Sequence, residues 1–318
     1  MKYTALFNGN REPEQELSPS QPKLGIIIPV GLLGIIIIAC LISPWIKQLF
    51  LSLAPHSAIC SYLAEYELHR ILSRVILVLV VLSLIVFRKT LFSSGRAFAP
   101  LEGTGSDGYL LMAGFVLGLA TLIIQVSGAV IFDARELYFT KFTPVKFLLK
   151  GSKALFSCLL IGVLEEFIFR GVVFRQLRRR TPLFVAFAAS SALYGLLHFF
   201  KPHDLAGLDQ TAPLSGFIVV IEMLKPFVSS EFLFEFVGLF IAGMCLAAGY
   251  HYSKSLYFSI GLHAGWVFVI KMDGMLVTRT VAEKVIWWGS SNLVGGVFTW
   301  ALLAVIFALI VKLFSDWI

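Results

Sequence analysis

The chain is poor in charge. Asp, Glu, Lys and Arg make up 14% of its 318 residues, against roughly 25% in soluble domains. With 58% hydrophobic residues and a mean hydropathy of +0.86, that shortage excludes an ordinary soluble domain and makes the chain a polytopic membrane protein. Cysteine is also sparse. Cys40, Cys60, Cys158 and Cys245 show no CxxC spacing. Three of them lie in or beside apolar stretches, so they read as small buried hydrophobes and indicate neither disulfides nor a zinc site. There is no HExxH, which removes the usual zinc-protease pattern. Internal repeats are not evident, nor are paired broken helices, which disfavours a transporter. The net charge of +7 comes from basic residues spread over the loops between apolar segments. It reads as charge that orients membrane helices, not as a nucleic-acid footprint.

What is present is a series of apolar runs. Residues 1–23 form a polar tail rich in Glu, Gln, Ser and Pro, expected to be disordered. Runs near 24–43, 71–87, 108–132, 151–174, 183–200, 233–250, 255–270 and 295–314 predict an all-α bundle of about eight transmembrane helices. The sixth and seventh runs are separated by Tyr252–Lys254 and predict a tight hairpin. The half-apolar stretch 205–231 reads as a re-entrant or interfacial piece. The leader before the first run is long and not markedly basic, so an uncleaved anchor is expected. Ile37-Ile38-Ala39-Cys40 only loosely resembles a lipobox. Alternate loops carry about twelve Lys or Arg on each side, so the total does not orient the chain. The run Arg175-Gln176-Leu177-Arg178-Arg179-Arg180, read as a short loop, places that side and both termini in the cytoplasm.

Glu165 and Glu166 sit inside Leu159-Leu160-Ile161-Gly162-Val163-Leu164-Glu165-Glu166-Phe167-Ile168-Phe169-Arg170-Gly171. Carboxylates at membrane depth are costly unless paired, hydrated or used. Successive helical residues point about 100° apart, so the two cannot face one site. Arg170 is four residues after Glu166, the favoured ion-pair spacing. Glu166 is then the paired member, and Glu165 points elsewhere with Ile161, Cys158 and Phe169. The plain alternative is a structural Glu–Arg cluster joining helices. Two further residues weigh against it: His198 ends the fifth run, and His263 lies within the seventh. A lone histidine in an apolar helix is usually a satisfied core residue. Two of them with a carboxylate suffice to activate a water and stabilise an oxyanion.

This order of residues resembles the CAAX protease and bacteriocin-processing (CPBP, or Abi) family of glutamic intramembrane endopeptidases. The resemblance is carried by Glu165-Glu166-x-x-x-Arg170, by Tyr194-Gly195-Leu196-Leu197-His198, and by Gly261-Leu262-His263-Ala264-Gly265, and it covers roughly 150–270. It implies that Glu165 is the general base, that His198 helps hold and polarise the water, and that His263 faces the tetrahedral oxyanion. Glu166 and Arg170 would support them, with no metal and no cofactor required. The implied partners are a peptide or protein substrate and the lipid bilayer, in a prokaryotic cell membrane, with no nucleic acid. Oligomeric state is not legible. The division implied is the tail 1–23, N-terminal membrane helices of unknown role over 24–140, and a protease-like core with a C-terminal helix over 141–318.

Two positions depart from the family pattern. Tyr194 replaces the usual Phe. Val267 stands where the family has Asn, one turn after His263 on the same face, and valine cannot donate to an oxyanion. Either another group substitutes (the Trp266 N–H and a bound water are candidates), or activity is weak, or the chain is a non-catalytic binding or immunity scaffold. A zinc protease using Glu165, His198 and His263, and a proton or ion path through the same residues, are competing readings. Elsewhere, His56 and His69 are placed in the first long loop, His203 in a solvated loop and His251 at an interfacial helix end. Trp287-Trp288 reads as an aromatic membrane anchor, and Asp133, Arg135 and Glu136 as a loop charge cluster.

Overall fold

The computed structural model describes residues 24–86, 106–137, 143–200, 202, 204–229, 232–278, 280–289 and 293–315. The 1–23 tail and His203 lie outside them. Among the described residues helix is the regular secondary structure, joined by turns and irregular segments, with one isolated antiparallel bridge between Leu137 and Val277. Five helical stretches are long and apolar enough to cross a membrane: Val30–His56, Asp107–Ile131, Pro144–Arg178, Phe232–Ser253 and Val297–Phe314. Helices also occupy the other three predicted runs, at Leu68–Val86, Leu183–Leu197 and Leu256–Asp273.

The chain forms two compact units. The first comprises residues 1–82 and 209–217, with helices α1 (Leu24–Leu53), α2 (Ala58–Ala64) and most of α3 (Leu68–Val86). Its helix ends are closed by side chains. Ser57 caps α2 by accepting from the Cys60 amide, and Lys47 Nζ donates to the carbonyls of Ala64 and Tyr66 at 2.6 and 2.7 Å. These are the orphan acceptors a helix C-terminus leaves. Gln210 Oε1 accepts from the Leu68 amide at the start of α3. His69 therefore sits in the first turn of α3, not in a loop.

The second unit, 83–208 and 218–318, carries the site. Its helices are α4 (Asp107–Ile131), α5 (Pro144–Glu166), α6 (Arg175–Arg178), α7 (Leu183–Leu197), most of α8 (Ser215–Leu224), α9 (Phe232–Ser253), α10 (Leu256–Asp273), α11 (Val285–Trp288) and α12 (Val297–Ser315). Helix α5 starts where Thr143 accepts from the Lys146 amide and Pro144 follows, as expected of a cap and of proline in a first turn. It does not stop at the glutamates. Phe167–Phe174 continues it as a π-helix and Arg175–Arg178 as α-helix, so the basic run read as a loop begins as helix. The α9–α10 hairpin forms as predicted, although Tyr252 is still helical. Lys254 turns the chain at φ 56°, and Ser255 caps α10 by accepting from the Tyr257 amide while donating to Asp107 at the head of α4.

Helix α10 packs along α4 with very little between the backbones. A Cβ on Gly114 or Gly118 would run into the carbonyl oxygens of Phe258 and Leu262. One on Gly261 or Gly265 would run into those of Leu111 and Phe115. These are two facing G-x-x-x-G pairs, the small-residue pattern that lets membrane helices approach closely. Beyond the end of α4, Arg135 is not part of a solvated loop cluster. It is buried and forms a bidentate pair with Asp273 at the end of α10, at 2.8 and 2.7 Å. The tryptophan pair also divides. Trp287 is exposed, whereas Trp288 is buried against Ala129, Ala134 and Phe298 and accepts from Gln125 through its carbonyl.

Candidate active site

Glu166 is wholly buried on the last turn of α5. As the spacing predicts, Arg170 Nη1 donates to Glu166 Oε1 at 3.0 Å. Arg170 Nη2 donates to the Gly243 carbonyl of α9 at 3.0 Å, and its guanidinium lies 4.8 Å from the Tyr194 ring centroid, within cation–π range. The π-helix opens immediately after the glutamates and includes Arg170. Such wider turns often occur at functional sites.

A second partner of Glu166 was not visible in the sequence. His263 Nδ1–H donates to the same Oε1 at 2.9 Å. One carboxylate oxygen thus joins α5, the π-helix and α10. His263 is 3% exposed, and this contact fixes its ring plane: Nδ1–H faces Glu166 and Nε2 points the other way, an acceptor in the neutral ring and a donor in the imidazolium.

His198 closes α7, and its Nδ1–H donates to the Tyr194 carbonyl at 2.8 Å. Its Nε2 is likewise turned outward. Both Nε2 atoms meet Glu165, whose Oε2 stands 3.9 Å from each. That is too far for a direct hydrogen bond. It suits a small bridging molecule, because two hydrogen bonds of about 2.8 Å meeting near a right angle span such a gap. Glu165 Oε2 is itself buried and has no hydrogen-bond partner among the described residues. A buried carboxylate oxygen without a donor calls for an explanation. Tyr194 lies among these groups, with its ring 4.4 Å from that of His198 and 6.0 Å from that of His263.

The histidines open onto a cavity of about 330 Å³ that is also lined by Tyr194, Trp266, Val267 and Glu235. Its remaining wall is apolar except for Thr299 and comes mainly from α9, α10 and α12. Of the site residues expected from the sequence, Tyr194, His198, His263 and Val267 line the cavity, while Glu165, Glu166 and Arg170 are not on its wall and join it through the two histidines.

Residues 149–269 match the family described as type II CAAX prenyl endopeptidase, Rce1-like. The matched segment contains all seven of those residues and agrees with the resemblance carried by the three motifs. The chain matches no curated protein and no solved structure. The Rce1-like segment and the long apolar helices together make this an integral membrane protein, and the family supports an intramembrane protease. Helices α4 and α12 lie outside the matched segment, yet both contribute to the cavity wall through Leu122 and Leu303. The cavity is therefore built in part from chain on either side of the matched segment.

Proposed function

We propose that the chain is a glutamic intramembrane endopeptidase, in which Glu165, His198 and His263 direct a water onto a peptide bond of a membrane-associated substrate. The observation that carries this reading is the convergence of two imidazole Nε2 atoms on Glu165 Oε2, each 3.9 Å away, with both Nδ1 atoms tied behind. A water held there donates one proton to Glu165 as its oxygen attacks the substrate carbonyl. The carbonyl electron pair moves onto oxygen, and that charge is met by Nε2–H of His263 in its imidazolium form, whose Nδ1–H stays on Glu166. Collapse of the tetrahedral species breaks the C–N bond, and the departing nitrogen takes the proton from Glu165. Glu166 and Arg170 touch no reacting atom; they position His263. The apolar wall of the cavity suits a substrate segment entering from the membrane. We further place both termini in the cytoplasm on the basic Arg175–Arg180 run, and the chain in a prokaryotic membrane on its composition.

Glu165→Gln tests this reading, because it keeps the shape of the side chain and removes the base. It is expected to lower cleavage by about 10²–10⁴-fold, with unchanged membrane insertion and melting temperature. The readout is the set of new peptide ends in membranes that contain the wild type, compared with the variant. A Glu165→Gln protein that yields the wild-type ends would sink the proposal. One observation favours a second reading as a binding scaffold: Val267 puts a methyl-bearing wall beside His263. Ends that are identical with and without the wild-type protein are the outcome that reading expects.

A further inference from the structure

Trp266 follows His263 by three residues on α10 and lines the same cavity as His198, His263 and Val267. It is 6% exposed, and its indole Nε1 is buried with no hydrogen-bond partner among the described residues. A buried indole N–H usually finds an acceptor, and leaving such a donor unmade is costly. Ordinary packing does not account for the cost, since phenylalanine offers an aromatic ring without the donor. Apart from Tyr194 and the two histidines, the cavity wall has little to offer a carbonyl oxygen. Val267, Leu122, Leu239, Ala242, Ile270 and Leu303 have no side-chain donor, and the Thr299 hydroxyl already donates to the Leu293 carbonyl.

We infer that the Trp266 indole N–H is a catalytic hydrogen-bond donor to the substrate carbonyl oxygen, acting beside His263 as that oxygen becomes an oxyanion. This inference rests on the hydrolase reading above. The indole transfers no proton. It donates a hydrogen bond that strengthens as the carbonyl π electrons move onto oxygen, which is where a preorganised donor acts most strongly. Helical spacing supports the pairing, because residues three apart share a face. His263 is held from behind by Glu166 and offers Nε2–H to the oxyanion only as the imidazolium; in that form both donors would be fixed before substrate arrives.

The test uses the full chain in membranes. Its probe is a synthetic reporter peptide copied from an end that wild type produces and Glu165→Gln does not. Trp266→Phe keeps a ring and deletes the N–H. It is expected to lower kcat by about 10²–10³-fold with KM near the wild-type value. Adding Val267→Asn in the Trp266→Phe background places a new donor on the same wall. It is expected to recover about tenfold or more of the lost rate. A Trp266→Phe protein that stays within about threefold of wild type, while Glu165→Gln is inactive, overturns the donor role and leaves the hydrolase reading standing. So does a Trp266→Phe protein whose melting temperature falls and whose activity Val267→Asn does not restore, because the ring is then structural. If wild type produces no ends that Glu165→Gln lacks, the hydrolase reading falls and this inference falls with it.

Discussion

On the side facing α4, helix α10 has almost nothing between its backbone and its neighbour's. On the side facing α5, it carries a buried histidine held by a carboxylate that is held in turn by an arginine. The first contact is made by leaving side chains out, and the second by putting charge where it is most costly. The glycine seam gives α10 a fixed place, because close backbone contact tolerates little sliding. It does nothing to polarise His263. The Glu166–Arg170 network does that, and it requires a burial that only a completed ion pair tolerates. Position and electrostatics are thus supplied separately to the helix that carries His263, Trp266 and Val267.

The largest break in this comparison is expected from Arg170→Ala. It leaves Glu166 charged, wholly buried and short of its cation. Losing one partner of a buried pair costs about 3–5 kcal/mol. Thermal unfolding in detergent should show a lowered melting temperature, and cleavage should fall with it because His263 loses its anchor. Arg170→Lys should recover only part of either property. A single ammonium cannot reproduce the fork that reaches both Glu166 Oε1 and the Gly243 carbonyl. If Arg170→Ala unfolds as the wild type does, the polar side of α10 is not structural.

Next in size is the dry seam. Gly261→Val would push a branched side chain into the Leu111 carbonyl and the Phe115 amide of α4. Overpacking of this kind costs about 1–3 kcal/mol. The expected signature differs from that of Arg170→Ala. The melting temperature drops, while the pH profile of any remaining cleavage keeps its wild-type shape, because no titrating group has been moved. A changed pH profile would mean that the seam and the charge network are not separable.

The two sides were also unequally legible in sequence. The Glu166–Arg170 pair follows from a four-residue spacing within one helix, and the helical runs follow from hydropathy alone. His263 on Glu166 spans 97 residues and Arg135 on Asp273 spans 138. Pairings of that length depend on which helices become neighbours, which local spacing does not carry. The glycines at 114, 118, 261 and 265 were in plain view, but a G-x-x-x-G pattern announces a close approach without naming its partner. The π-helix at Phe167–Phe174 has no periodic signature either, because its apolar run suits any helical register. Trp287 and Trp288 read as one anchor until burial separated them. The burial of Trp288 depends on Ala129, near the end of α4, and Ala134, just beyond it.

The smallest effect, and the one that sharpens the comparison most, is expected from Val267→Asn in the otherwise native chain. Val267 is half-buried on the cavity wall, so an amide placed there keeps access to the cavity and avoids most of the cost of burying an unpaired polar group. Stability should therefore change by less than about 1 kcal/mol. If the Trp266 N–H already serves the oxyanion, a second amide donor adds to an existing one, and the gain in kcat should stay below about tenfold. A lone oxyanion donor is worth about 10²–10³-fold, so a gain of that size would mean the native cavity lacked a working donor. The small gain, set beside the large recovery expected in the Trp266→Phe background, is the non-additivity that two groups serving one oxygen should show. It would place the electrostatic work of α10 on two neighbouring positions of one helical face, while the glycines behind them act only to hold that face still.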